Sequence, residues 1–170
     1  VAFSPYSFSK LAVTQLLQML YKKEQLPIVV IRLFLVYGPG QNRERFLPQI
    51  INGCLSKESF PVSWGEQLRD FCYIDDVIRG ILLSINSKNA LGEIINIASG
   101  SPIKIKNLVN MTQKIIGCGK PNYGGYPYRK DENMELYADI QKANKLLKWH
   151  PEVDLKEGLE KTIKYFKCSF

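Results

Sequence analysis

Tyr6 and Lys10 stand four residues apart near the start of the 170-residue chain, in Ser4-Pro5-Tyr6-Ser7-Phe8-Ser9-Lys10. On a helix this spacing puts a phenol and an ammonium on one face, one turn apart. A cation that close favours the phenolate over the phenol, which lets a tyrosine exchange protons as an acid or base. The same ammonium can hydrogen-bond a cofactor ribose. Tyr and Lys also meet at this spacing by chance in many helices, so the pair gains weight only from its surroundings.

Other residue types able to do chemistry are sparse. Asp75-Asp76 could be paired carboxylates or metal ligands. At the head of an apolar-periodic run they read instead as helix-terminus acids and acceptors for loop N–H groups. The single histidine, His150, precedes a proline in a turn, which argues against a zinc site or a Ser-His-Asp triad. The four cysteines, Cys54, Cys72, Cys118 and Cys168, show neither Cys-x-x-Cys nor metal-ligand spacing. They read as reduced thiols of a cytoplasmic protein, mostly filling core space, and no metal is expected.

The net charge of +7 fits either an acidic partner or a solvated lysine-rich surface. No dense Lys/Arg block with interleaved aromatics is present, so nucleic acid is not an expected partner. A hydrophobic content of 45% supports one folded core. No apolar run is long enough for a bilayer, so no membrane partner is expected either.

The elements that must hold these residues follow from periodicity. Ser4 as cap and Pro5 at the first helical position open a helix that runs to Lys23, with Leu11, Leu16, Leu17 and Leu20 on an apolar face. Ile28 to Ile31 reads as a strand buried on both faces, as in parallel sheets. Tyr37-Gly38-Pro39-Gly40-Gln41-Asn42 is a loop, and Arg45 to Leu55 a helix with Pro48 in its first turn. Phe60 to Trp64 and Phe71 to Ile74 read as two short strands around a turn at Gly65-Glu66. A helix opens at Asp75-Asp76, with Val77, Ile78, Ile81, Leu82 and Ile85 as its apolar residues. A strand spans Glu93 to Ala98 and a helix Ile105 to Ile116. Gly117 to Arg129 reads as irregular, and helices close the chain near Ile140 to Leu147 and Leu155 to Phe166.

The Tyr-x-x-x-Lys helix, the strand after it and three further segments form an ordered series. The segments are Arg32-Leu33-Phe34-Leu35-Val36-Tyr37-Gly38-Pro39-Gly40-Gln41, Arg69-Asp70-Phe71-Cys72-Tyr73-Ile74-Asp75-Asp76-Val77 and Tyr137-Ala138-Asp139-Ile140-Gln141-Lys142-Ala143. The series resembles the extended short-chain dehydrogenase family: NAD(P)-dependent epimerases, dehydratases and reductases of nucleotide sugars. The resemblance implies an α/β fold. Residues 1–42 would be the C-terminal remnant of a Rossmann-type cofactor domain, contributing its last catalytic helix and strand. Residues 43–170 would be mainly a small mixed α/β domain binding the nucleotide sugar. The family's glycine-rich phosphate loop and the Ser or Thr partner of its tyrosine have no counterpart in these residues, so the chain reads as a C-terminal portion.

By the same resemblance Tyr6 is the acid/base, and Lys10 binds the nicotinamide ribose and favours the phenolate. Leu33 and Phe34 line the nicotinamide side. Arg45 and Phe46 line the nucleotide-diphosphate site, and Val62 and Trp64 lie beside the nucleobase. Arg69 and Arg129 grip the diphosphate, whose charges suit guanidinium groups. Trp64 could equally be a core or edge residue, and Arg69 could pair with Asp70 or Asp75. Leu35 departs from the family's common Asn and cannot donate to a substrate oxygen. The implied cofactor is NAD or NADP, held mainly by the half not represented here. The implied partners are a nucleotide diphosphate sugar and a second copy met through the Tyr6–Lys10 helix. Tyr128 to Asn133 leans toward 4-keto-sugar reductases and epimerases; a 4,6-dehydratase and an inactive truncated substrate domain remain alternatives. A pyrophosphate needs the glycine-rich turn and the helix terminus behind it. These 170 residues alone should therefore bind NAD(P) weakly or not at all, and calorimetry returning micromolar affinity would refute that expectation.

Overall fold

A serine and a proline set the start of the first helix, α1 (Pro5–Glu24). The Ser4 hydroxyl accepts from Ser7 N at 3.1 Å, and Ser7 Oγ accepts from Ser4 N at 2.9 Å, a reciprocal capping box. The helix ends at Gln25 in the left-handed region, φ 56°, with Lys22 and Lys23 at its negative end. The computed structural model describes residues 4–168. The expected apolar face is only partly used. Leu17 and Leu20 are half-buried but Leu11 and Leu16 are exposed, and the residue that α1 buries is Thr14. The apolar side chains of α1 wind around the helix rather than forming one stripe, so no single face can bury them all.

After α1 the chain forms β1 (Val30–Leu33), β2 (Leu35–Tyr37), α2 (Phe46–Leu55), β3 (Ser59–Val62), β4 (Leu68–Arg69), β5 (Phe71–Tyr73) and α3 (Ile74–Asn86). A short 3-10 turn, Lys88–Ala90, leads to β6 (Ile94–Ile97), β7 (Ile103–Lys104) and α4 (Ile105–Ile116). The last elements are β8 (Lys120–Tyr123), β9 (Glu135–Leu136), α5 (Gln141–Leu147) and α6 (Leu155–Cys168).

The strands pair across long stretches of sequence. β1 lies parallel to β6 and β2 parallel to β5. β6 thus returns residues 94–97 to the sheet of the first segment. β1 starts two residues later than the Ile28–Ile31 run suggested, and it is not buried on both faces, since Arg32 and Leu33 are exposed. The two strands expected around Gly65-Glu66 are three, and they fall into three sheets. β3 pairs in parallel with β8, inside the stretch expected to be irregular. β4 is the centre of a small sheet, antiparallel to β7 and parallel to β9. A two-residue strand such as β4 carries too little pattern to be recognised from periodicity.

Two clusters of buried side chains support these sheets. In the first, α2, α4 and α6 present helical-spacing faces: Leu47, Ile50, Ile51 and Cys54; Ile105, Leu108 and Val109; Leu159, Ile163 and Phe166. Tyr37, Val62, Phe71 and Tyr73 fill the space between them. The second cluster sets Ile95 and Ile97 of β6 against Val77, Ala143, Leu147 and the fully buried Trp149. α3 enters it through Val77 and through Gly80, where a Cβ would lie 2.9 Å from Ile97 and 3.1 Å from Trp149. Its Ile78, Ile81, Leu82 and Ile85 are exposed, so most of the expected apolar residues of this helix do not face the core.

Two buried aspartates tie the clusters together. Asp70, with no exposure, accepts at Oδ1 from Ser99 N and Ser99 Oγ, both at 2.7 Å, and at Oδ2 from Gly100 N at 3.0 Å. Its carbonyl accepts from Leu35 N at 3.2 Å. Asp76 accepts from Glu152 N and Val153 N at 3.0 Å each and pairs with Arg79. Its carbonyl takes the Trp149 indole N–H at 2.9 Å. Asp76 therefore serves distant loop N–H groups and does not cap its own helix. Asp70→Ala would leave several buried N–H groups without an acceptor and should cost on the order of 3 kcal/mol of stability. Urea denaturation against Asp75→Ala, which is exposed and should change little, checks this.

Candidate functional site

Tyr6 and Lys10 occupy the first turns of α1, and the Lys10 ammonium lies 5.3 Å from the centre of the Tyr6 ring. The phenol is 72% exposed and Lys10 is exposed as well. Thr14, one turn on, donates its hydroxyl to the Lys10 carbonyl at 2.8 Å and fixes that turn. At the other end Tyr21 packs on Gly92, just ahead of β6; a Cβ there would come within 2.1 Å of the ring. The last turn of α1 is thus anchored where β6 begins. Tyr6 stands fifteen residues back along α1, about 22 Å at the helical rise. In an α/β unit the helix returns from the carboxyl ends of the strands to their starts, so Tyr6 belongs to the carboxyl end, where open sheets bind ligands. Leu33 closes β1 at that end with 47% exposure, and Phe34 follows it half-buried, its N–H on the Ile97 carbonyl at 3.3 Å.

Of the residues expected on the substrate side, Arg45 and Phe46 stand at the head of α2, while Val62, Trp64, Arg69 and Arg129 lie on or near β3, β4 and the 120–136 segment. Arg45 precedes α2 as its exposed N-cap residue, and no side chain caps that helix. Phe46 packs its ring against Phe71, centroids 6.4 Å apart. Val62 is buried and its carbonyl accepts from Tyr126 N at 3.3 Å. Trp64 is 60% exposed, so it is not a core residue. Its indole lies over Gly124, φ +84°, where a Cβ would be 2.6 Å from the ring. That backbone conformation and that clearance both call for glycine.

Arg69 pairs neither with Asp70, which is occupied by the Ser99–Gly100 turn, nor with Asp75. Its guanidinium meets Glu132 and also donates to the Leu68 carbonyl at 2.7 Å. Glu132 N in turn donates to the Arg129 carbonyl at 3.1 Å, so one turn carries Arg69's partner and the exposed Arg129. The hydrogen bonds and ring contacts of Tyr6 and Lys10 among the described residues stay within α1. Three residues of this region carry no site role in the sequence reading: Glu132, Gly124 and the 59% exposed Tyr126. The Gly124-Gly125 pair was the available signal for a turn against β3.

Burial pushes the Cys54 thiol up to about 11, and burial chiefly, with Asp76 and Asp70 nearby, pushes Cys72 up to about 12. Neither is an activated nucleophile. Among the described residues no three His, Cys, Asp or Glu side chains gather as a metal set, and no helix is long and apolar enough to cross a membrane.

Residues 1–98 match the model of the NAD dependent epimerase/dehydratase family. The UDP-glucuronate 4-epimerase of Thermodesulfobacterium geofontis is 34% identical over 168 residues, covering 96% of this chain and 50% of that protein. The CDP-abequose synthase of Salmonella typhimurium is 28% identical over 94% of this chain and 55% of its own length. Among solved structures, the UDP-glucuronic acid 4-epimerase of Bacillus cereus, in complex with UDP-glucuronic acid and NAD, superposes with a TM-score of 0.90 at 35% identity. It is matched over 100% of this chain and 55% of that one. The UDP-glucose 4-epimerase of Thermotoga maritima, with UDP-glucose, gives a TM-score of 0.91 at 30% identity, over 98% of this chain and 54% of that one. The chain spans about half the length of the curated relatives it matches.

Proposed function

The chain belongs to the NAD dependent epimerase/dehydratase family, the extended short-chain dehydrogenase type, and on that footing we propose that it is part of a nucleotide-sugar 4-epimerase or 4-keto-sugar reductase. The observation that carries the reading is the Lys10 ammonium beside the exposed Tyr6 ring at the head of α1. In this role Tyr6 exchanges a proton with the sugar hydroxyl or keto oxygen at its phenol oxygen, with the Lys10 ammonium one turn on along the same face. The residues present fit the nicotinamide end of an NAD-type cofactor: an exposed ammonium for the ribose hydroxyls, with Leu33 and Phe34 as the apolar side of the pocket. Bound there, such a cofactor supplies the hydride acceptor and donor. On this proposal residues 1–42 contribute to the cofactor domain and residues 43–170 mainly bind the sugar nucleotide.

The substrate's diphosphate is assigned to Arg69 and Arg129, with Arg45 and Phe46 at the edge of the same site and Val62 and Trp64 beside the nucleobase. The turn that ties Glu132 to Arg129 supports the two arginines acting together, because it brings the Arg129 backbone next to Arg69's partner. The 4-epimerases at 34–35% identity support an epimerase over a dehydratase. A homodimer through α1 is part of the proposal, and the exposed Phe8, Leu11, Val13 and Leu16 of that helix support it.

In the active protein Tyr6→Phe should lower turnover by about a hundred- to ten-thousandfold while nucleotide-sugar affinity stays near that of the parent. Near-normal turnover in steady-state assays of the purified variant would remove Tyr6 from the acid/base role. Arg69→Ala and Arg129→Ala should each weaken uridine diphosphate binding by roughly ten- to a hundredfold, since each loses a charge-assisted contact. Calorimetric titration is the check, and parental affinity for either variant removes that arginine from the site.

A further inference from the structure

Of the ion pairs among the described residues, Arg69–Glu132 alone has both side chains sheltered, at 12% and 17% exposure. In every other pair at least one partner exceeds a quarter exposure. It also joins residues far apart in sequence, β4 to the turn just before β9. Surface pairs contribute little on their own, whereas a sheltered guanidinium left without its carboxylate is strongly disfavoured. The pair is therefore what settles where the Arg69 side chain sits.

Its geometry leaves Arg69 available. A guanidinium carries five N–H donors. One goes to the Leu68 carbonyl and one to Glu132 Oε1; the others have no protein partner among the described residues. Glu132 thus does not close a two-pronged fork over the arginine. Its own backbone is held as well. Glu132 N donates to the Arg129 carbonyl at 3.1 Å, and two residues on, the Met134 carbonyl accepts from Leu68 N at 2.7 Å. The backbone that carries the carboxylate is held on both sides, by the turn and by the β4–β9 pairing.

We propose that Glu132 is a positioning residue: its carboxylate holds the Arg69 guanidinium in place, with donors free, before a diphosphate arrives. This rests on the reading of Arg69 as a diphosphate contact. Without Glu132 the arginine would lose its partner and turn toward water, and a ligand would then have to order it on binding. The opposite effect is also physically conceivable, because a carboxylate repels phosphate. The free donors and the single-oxygen contact favour positioning, and the sign of the change separates the two.

The experiment is calorimetric titration of the full chain with uridine diphosphate and, separately, with uridine. Glu132→Ala should weaken uridine diphosphate binding by roughly tenfold, in keeping with the loss of a preorganised charged donor, and leave uridine affinity unchanged. Glu132→Gln keeps the volume and removes the charge, and should weaken the diphosphate in the same direction. In an Arg69→Ala background, Glu132→Ala should have no further effect, the non-additivity that marks one residue acting through another. Tighter diphosphate binding by Glu132→Ala or Glu132→Gln would show that the carboxylate obstructs the site and overturn the proposal. Equal losses for uridine and its diphosphate, or additive losses in the double variant, would overturn it in favour of a general structural role. If Arg69→Ala alone bound uridine diphosphate like the parent, or the parent bound none, the assignment of Arg69 to the diphosphate would fail first, and this proposal with it.

Discussion

A carboxylate with no exposure holds this molecule together. Asp70 lies between β4 and β5 and forms no ion pair among the described residues; its oxygens are met by the N–H groups of Ser99 and Gly100 and the Ser99 hydroxyl. Such an arrangement is stable because several fixed dipoles replace the water that an ionised carboxylate would otherwise keep. It also fixes geometry, since all the donors must converge on two oxygens. The turn after β6, the start of β2 through Leu35, and the strand carrying Arg69 are thereby locked together.

That lock explains how a proposed chemical end and a proposed binding end can share one short chain. β6 pairs with β1, the strand following α1, and so belongs with Tyr6 and Lys10. β4 pairs with β7 and β9 and so belongs with Arg69 and Glu132. Asp70 bonds to the turn leaving β6 while sitting next to Arg69. Asp76 does similar work at the head of α3, where it gathers the Trp149–Val153 stretch. Both acids flank the three-residue β5, whose side chains are all buried. The order of the sequence, acid, strand, then an acid in the first turn of a helix, is thus an order of constraints on three dimensions.

Much of this was legible from the residues. Ser4-Pro5 marked the start of α1, and helices expected over Arg45 to Leu55 and Ile105 to Ile116 are where α2 and α4 lie, because capping and local pattern act within a few residues. The family was legible too, from the ordered motifs that bear on it. The misses share one cause. β8 lies in a stretch rich in Gly, Pro and Tyr and forms because β3, some sixty residues earlier, offers it an edge. The partner of Arg69 sits 63 residues away, so neighbouring Asp70 and Asp75 drew attention instead. Leu11 and Leu16 lie on the apolar face expected of α1, and Ile78, Ile81, Leu82 and Ile85 are apolar residues of α3, yet all these side chains are exposed. A pattern says that a face is apolar and does not say what meets it.

The indole of Trp64 lying over Gly124 has a consequence for how the molecule can be watched. The chain has two tryptophans. Trp149 has no exposure and donates its ring N–H to a backbone carbonyl; Trp64 is 60% exposed and lies against Gly124. Their fluorescence therefore separates by environment: a blue-shifted emission shielded from dissolved quenchers for Trp149, and a red-shifted, quenchable one for Trp64. The first reports the packing of α3 against β6, the second the surface beside Val62 and Tyr126. One cuvette thus distinguishes loss of the core from occupation of the face where a base could stack, with no label attached.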